Sequence, residues 1–168
     1  SQLSEIQDPV AGCESLFVGK IASGEIYNQS PTEFSLSGTR RWLPGTDYQH
    51  VRKQLEELFA AVGSSHQVTP DATIHFVRDG YRVDTSHPVV TAFQEAARSV
   101  MGQPLPEGCK PFVDDGNTFA AIAGIPAITH GPNAKGAHTT QEEVPLAELE
   151  RVALVYALTA AGFCSPTT

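Results

Sequence analysis

The stretch Thr129-His130-Gly131-Pro132-Asn133-Ala134-Lys135-Gly136-Ala137-His138-Thr139-Thr140-Gln141-Glu142-Glu143-Val144 decides how this chain is read. It is a loop of small and polar residues between two apolar segments. The segment before it, Ile125 to Thr129, reads as a buried strand. The segment after it reads as a long amphipathic helix with Pro145 in its first turn. That helix displays Leu146, Leu149, Val152, Ala153, Tyr156 and Ala160 and is closed by Gly162. Loops at the carboxyl ends of strands are where open α/β sheets place their sites. Gly131, Gly136 and Ala137 let backbone approach a ligand closely. His138 can ligate a metal or move protons there, although a loop histidine is more often solvated or bonded to backbone.

Upstream of this loop the pattern alternates helix and strand. Phe93, Ala96, Ala97 and Val100 mark a helix from about Val89 to Met101. Lys110 to Val113 reads as a short strand and Asn117 to Ala123 as a short helix. Asp114 and Asp115 stand between them. Neighbouring carboxylates on a strand point to opposite sides, so at most one faces a common site. A catalytic role for one of them and a cap supplied by Asp115 or Asn117 are both open.

The first half is organised differently. Leu16 to Ala22 and Glu33 to Thr39 read as strands, joined by the turn-rich Ser23-Gly24-Glu25-Ile26-Tyr27-Asn28-Gln29-Ser30-Pro31. Thr46 or Asp47 caps a helix carrying Val51, Leu55, Leu58, Phe59 and Val62 and ending at Gly63. Ala72 to Tyr81 alternates as a further strand, with Ile74 and Phe76 facing one side. Strand, strand, helix, strand predicts a two-layer arrangement with one sheet face covered. The change of pattern near Asp84 to Pro88 predicts two domains, 1–86 and 87–168. Arg40 and Arg41 close the second strand, and alternation sends their guanidinium groups to opposite faces. One of them can reach a ligand carboxylate while the other is solvated. Asn28 hydrogen-bonds a substrate amide or stabilises its own turn.

Composition narrows the classes. With 40% apolar residues among 168, the chain has material for a packed core. The formal net charge of -8, with Arg40-Arg41 and Arg52-Lys53 as the adjacent basic pairs, argues against binding nucleic acid. No apolar run nears the roughly 20 residues of a membrane helix, and Ser1 onward lacks the zones of a signal peptide. Cys13, Cys109 and Cys164 form no C-x-x-C pair, so reduced thiols in a cytoplasmic protein are expected.

Taken in order, Gly24 to Pro31, Gly38-Thr39-Arg40-Arg41, Gly124-Ile125-Pro126, Gly131-Pro132 and Ala137-His138-Thr139 with Glu142 resemble the C-terminal half of a family of di-zinc amidohydrolases. The family comprises aminoacylases, acetylornithine and succinyl-diaminopimelate deacylases, and glutamate carboxypeptidases. The resemblance covers nearly the whole chain. It implies a partial two-layer lid domain, which often mediates homodimerisation, followed by the C-terminal α/β segment of a zinc-peptidase-like catalytic domain. It implies His138 as the last metal ligand, Asn28 and Arg41 as substrate-binding residues of the lid, and Gly131-Pro132-Asn133 as a loop lining the substrate pocket. The expected cofactor is a pair of zinc ions, with cobalt or manganese as alternatives.

The family's H-x-D, bridging aspartate, Glu-Glu pair and further acidic ligand precede the lid and are not in this chain. The general-base glutamate and most metal ligands are therefore expected from an N-terminal half or a second chain. The expected activity is cleavage of an amide bond in an N-acyl amino acid or small peptide, not sustained by this chain alone. The competing expectation is a non-catalytic dimerisation or ligand-binding module derived from the same family.

Overall fold

The computed structural model describes residues 2–137 and 139–165. Within it the chain is mixed α/β, with four helices and small antiparallel sheets. It divides into two compact units, residues 1–80 and 81–168.

The first unit begins with a feature that sequence reading passed over. The polar segment before Pro9 is not a loose end: β1 (Gln7–Asp8) pairs antiparallel with β2 (Gly12–Cys13). Asp8 Oδ1 accepts the backbone N–H groups of Val10 and Ala11, and Gly12 takes the left-handed φ of 78° that closes the turn. β3 (Ser15–Ser23) and β4 (Phe34–Arg41) then form a long antiparallel ribbon. Val18 lies opposite Gly38 and Lys20 opposite Ser37, so Gly19 is the extra residue of a bulge.

Helix α1 (Tyr48–His66) starts where expected, with Asp47 accepting the N–H of Gln49 at 3.0 Å. It does not stop at Gly63. It runs to His66 and ends on Gln67 in the left-handed region. A β-carbon at Gly63 would lie 3.0 Å from Pro70 Cδ and 3.1 Å from Val68 O. This glycine makes room for the returning chain rather than ending the helix.

Two further expectations fail in this unit. Among the described residues, Ala72 to Tyr81 joins no ladder, so the β3–β4 sheet has two strands and not three. Its alternation is real as packing: Phe76 stacks with Tyr48 at 4.5 Å and with Trp42 at 6.3 Å between ring centroids. Alternation reports which face a side chain takes, whereas a strand also needs a partner for its backbone. Nor is one ribbon face covered. Every residue of β3 and β4 is exposed except half-buried Arg40, and Phe17, Ile21 and Phe34 are 65%, 62% and 63% accessible.

The second unit is built on α2 (Pro88–Met101) packed against α4 (Leu146–Cys164). Phe93, Ala96 and Ala97 of α2 and Val155 of α4 form its core, backed by Val100, Met101, Leu105 and Ile128. Helix α3 (Asp115–Ala121) starts earlier than predicted because Asp114, not Asp115, is the N-cap; Asn117 completes a capping box with it. Gly162 does not close α4, which continues to Cys164. Lys110 to Val113 and Ile125 to Thr129 are not assigned as strands, because among the described residues neither has a ladder partner. No helix among the described residues is long and apolar enough to cross a membrane.

Candidate functional site

In the second unit, the loop that opened the sequence reading is clasped at its base. Lys135 and Glu143 form an antiparallel bridge with two N–H···O bonds of 3.0 Å, supported by their side-chain charges at 3.9 Å. Inside the clasp, Thr139 N–H donates to Gly136 O at 3.0 Å and the Thr139 hydroxyl to the same oxygen at 2.7 Å. Gly136 has φ 64°, and a β-carbon there would press on Gln141 O and Thr139 Oγ1 at 3.0 Å. His138 itself lies outside the described residues. Gly131 and Asn133 are exposed and Pro132 half-buried, with Ala134 N–H donating to Pro132 O at 3.0 Å.

Behind the loop lies a relay that sequence reading missed apart from Asp114. Thr129 Oγ1 donates to Asp114 Oδ2 at 2.7 Å, and Tyr81 OH meets Thr129 Oγ1 at 2.8 Å. A threonine hydroxyl has one proton, so once it is given to Asp114 the tyrosine must donate. Asp114 is the final acceptor, and its Oδ1 also takes the N–H of Gly116 at 2.9 Å. Nothing local in the sequence announces a tyrosine 48 residues from its threonine partner. Asp114 is thus committed to structure: it caps α3 and anchors the segment that enters the loop.

His130 precedes the loop and sits edge-on between two rings, Phe93 at 5.0 Å and Tyr156 at 5.7 Å. Tyr156 OH donates to the His130 carbonyl. The ring nitrogen Nδ1 is buried without a hydrogen-bond partner among the described residues. Burial first, and the positive charge of Lys110 second, hold its pKa below the usual 6.5. A neutral ring can keep its proton on Nε2, whereas protonation would put an unsatisfied N–H among aromatic carbons. The unfolded chain takes up this proton as pH falls through about 6.5, where the folded chain resists it. Stability should therefore be unaffected by this group at pH 8 and decline below about pH 7. Urea midpoints at pH 7.5 and 5.5 test this: His130→Phe should show a smaller acid loss, and an identical loss in both proteins excludes His130.

The other predicted residues occupy the first unit. Arg41 ends β4 and is exposed, while the Arg40 side chain turns to the opposite face and is buried. Asn28 lies exposed in the connection between β3 and β4. The structure does not bring these two together. Asn28 is at the turn end of the ribbon and Arg41, opposite Ser15, at the other. The strand between them spans roughly 23 Å at 3.3 Å per residue.

Nor do the described residues build a metal centre: no three of their His, Cys, Asp and Glu side chains gather to hold an ion. A catalytic zinc needs about three protein ligands, so the described residues alone do not fit it.

The α/β fold resembles that of solved peptidases. The aminopeptidase PepT from Bacillus cereus ATCC 10987 superposes with a TM-score of 0.76 at 18% identity, covering 94% of this chain and 41% of that one. The M20 family metallo-carboxypeptidase Sso-CP2 from Sulfolobus solfataricus does so with 0.64 at 19%, covering 91% and 36%. At these identities the likeness concerns the fold alone, and the chain spans about two-fifths of either enzyme. No curated protein sequence matches significantly. A family model settles the lineage: the chain belongs to peptidase family M20/M25/M40, matched over residues 7–161.

Proposed function

We propose that this chain is the C-terminal portion of a metal-dependent amide hydrolase acting on N-acyl amino acids or small peptides. The observation that carries the reading is the family match over residues 7–161, joined to the loop that Lys135 and Glu143 clasp. His138 would supply one ligand to a zinc pair, and zinc binding acidifies a water in such sites. The remaining ligands and the general base would come from an N-terminal half or a second chain.

The residues described here bind and orient. Arg41 grips the substrate carboxylate through its planar fork of donors. Gly131, Pro132 and Asn133 line the substrate pocket. Asn28 would donate its amide to the developing oxyanion, although one ribbon does not carry both Asn28 and Arg41 to a single small substrate. Residues 1–86 serve as lid, and the apolar residues exposed on β3 and β4 support pairing with a second copy through that lid. A reducing, cytoplasmic setting suits the three unpaired cysteines.

The reading is tested on the full-length polypeptide with zinc. Hydrolysis of N-acyl amino acids should vanish on chelation and return with metal. Arg41→Ala should raise KM roughly 10- to 100-fold, the worth of a charge-assisted hydrogen bond. Zinc-loaded, folded protein that cleaves neither N-acyl amino acids nor dipeptides would exclude the proposal.

A further inference from the structure

We infer that Glu14 and Arg40 are a positioning pair for Arg41, holding the end of β4 so that the Arg41 guanidinium meets a substrate carboxylate. The inference rests on the role assigned to Arg41 above and adds what fixes that residue in place.

Among the described residues, the pair stands apart from four other ion pairs. Its side chains are 7% and 3% accessible, whereas Arg52–Glu56, Lys53–Glu57, Lys135–Glu143 and Arg151–Glu148 lie in water to a large degree. Burying two charges costs several kcal/mol of desolvation each, and an apolar pair of similar size usually stabilises a fold at least as well. Stability alone does not account for such a pair.

The hydrogen bonds show what it holds. Arg40 Nη2 donates to Glu14 Oε2, and Arg40 Nη1 donates to the carbonyl of Arg41. The other carboxylate oxygen, Oε1, accepts the N–H of Leu43 and the hydroxyl of Thr46, each at 3.4 Å. The carbonyl of Arg41 is therefore tied to this carboxylate through the Arg40 guanidinium, and the N–H of Leu43, two residues on, is tied to it directly. Arg41 is the last residue of its strand, where fraying is otherwise expected, and the chain turns at once through Leu43 to Thr46. Its ladder partner, Ser15, follows Glu14 directly. Glu14 thus couples both sides of the strand end. Because strand alternation puts Arg40 on one face and Arg41 on the other, clamping the first aims the second.

The test compares two substrates in the full-length, zinc-loaded polypeptide: one with a free carboxylate, the other its carboxamide. Glu14→Gln and Arg40→Lys should lower the preference for the carboxylate by roughly tenfold or more. The loss should appear in KM for the carboxylate substrate, with kcat and the carboxamide KM unchanged. A general loss of stability would move both substrates alike. Should the single variants misfold, the double variant Glu14→Leu, Arg40→Met decides, because it buries no unpaired charge. It should fold and lack the preference. A folded double variant that keeps the preference overturns the inference, provided that Arg41→Ala loses it. If Arg41→Ala also keeps the preference, the carboxylate role of Arg41 falls and the inference falls with it.

Discussion

Gly38→Ala is expected to break the β3–β4 ribbon and to destabilise the first unit by on the order of 3 kcal/mol. A β-carbon at position 38 would overlap the carbonyl oxygen of Phe17, and it would lie 3.3 Å from that carbonyl carbon and 3.4 Å from Val18 Cα. All three are backbone atoms of the paired strand, so no side chain can swing away. The strands must separate where the bulge at Gly19 has already disturbed the register. Gly19→Ala is the natural comparison. Its β-carbon would meet Phe17 Cε1 at 3.2 Å, the far end of an exposed ring that can rotate. Amide exchange across residues 15–23 and 34–41 should accelerate strongly in Gly38→Ala and little in Gly19→Ala. Equal protection in the two variants would refute the steric account.

Asp114→Ala should be nearly as damaging, at about 2–4 kcal/mol. The substitution removes an N-cap, worth about 1 kcal/mol, and the final acceptor of the Tyr81–Thr129–Asp114 relay, a charge-assisted bond worth about 1.5–3. It also takes the capping-box acceptor from the backbone N–H of Asn117, while the Asn117 side chain keeps its bond from the N–H of residue 114. Asp114→Asn should fall between: its side-chain oxygen still caps α3, but its amide nitrogen cannot accept the Thr129 proton. Denaturant midpoints ordered wild type, Asn, Ala would fit this account. An Asn variant as poor as Ala would assign the whole effect to the carboxylate charge, and an Ala variant within 0.5 kcal/mol of wild type would contradict the relay.

The periodicity of apolar residues located most of what is regular in the chain. The face predicted for α2 is the buried one, with Phe93, Ala96 and Ala97 in the core. Asp47 was legible as a cap because capping acts within three residues. The same reasoning misled where a pattern had two causes. Ala72 to Tyr81 alternates because Phe76 joins Trp42 and Tyr48, not because it pairs with a strand. Gly63 and Gly162 looked like terminators, yet one admits the returning chain and the other lies within α4. Arg40 and Arg41 were separable by face from alternation alone, but no local signal named Glu14 as the partner of the first.

By itself, then, the sequence determined the strands of the ribbon, the helices to within a turn, the α2 face of the core and the family to which the order of motifs belongs. These depend on propensity, periodicity and capping, which act over a few residues. It did not pick out Val155, the α4 residue in that core, in place of the exposed Leu146, Leu149 and Tyr156. The tertiary structure decided which charge is buried against which, and how Asp114 is employed. It also set the bulge at Gly19 and put Asn28 and Arg41 at opposite ends of one ribbon. Glu14 and Arg40 are 26 residues apart, and Tyr81 and Thr129 are 48 apart. Contacts over such separations form only when the fold has closed the intervening chain, so no short stretch of sequence encodes them.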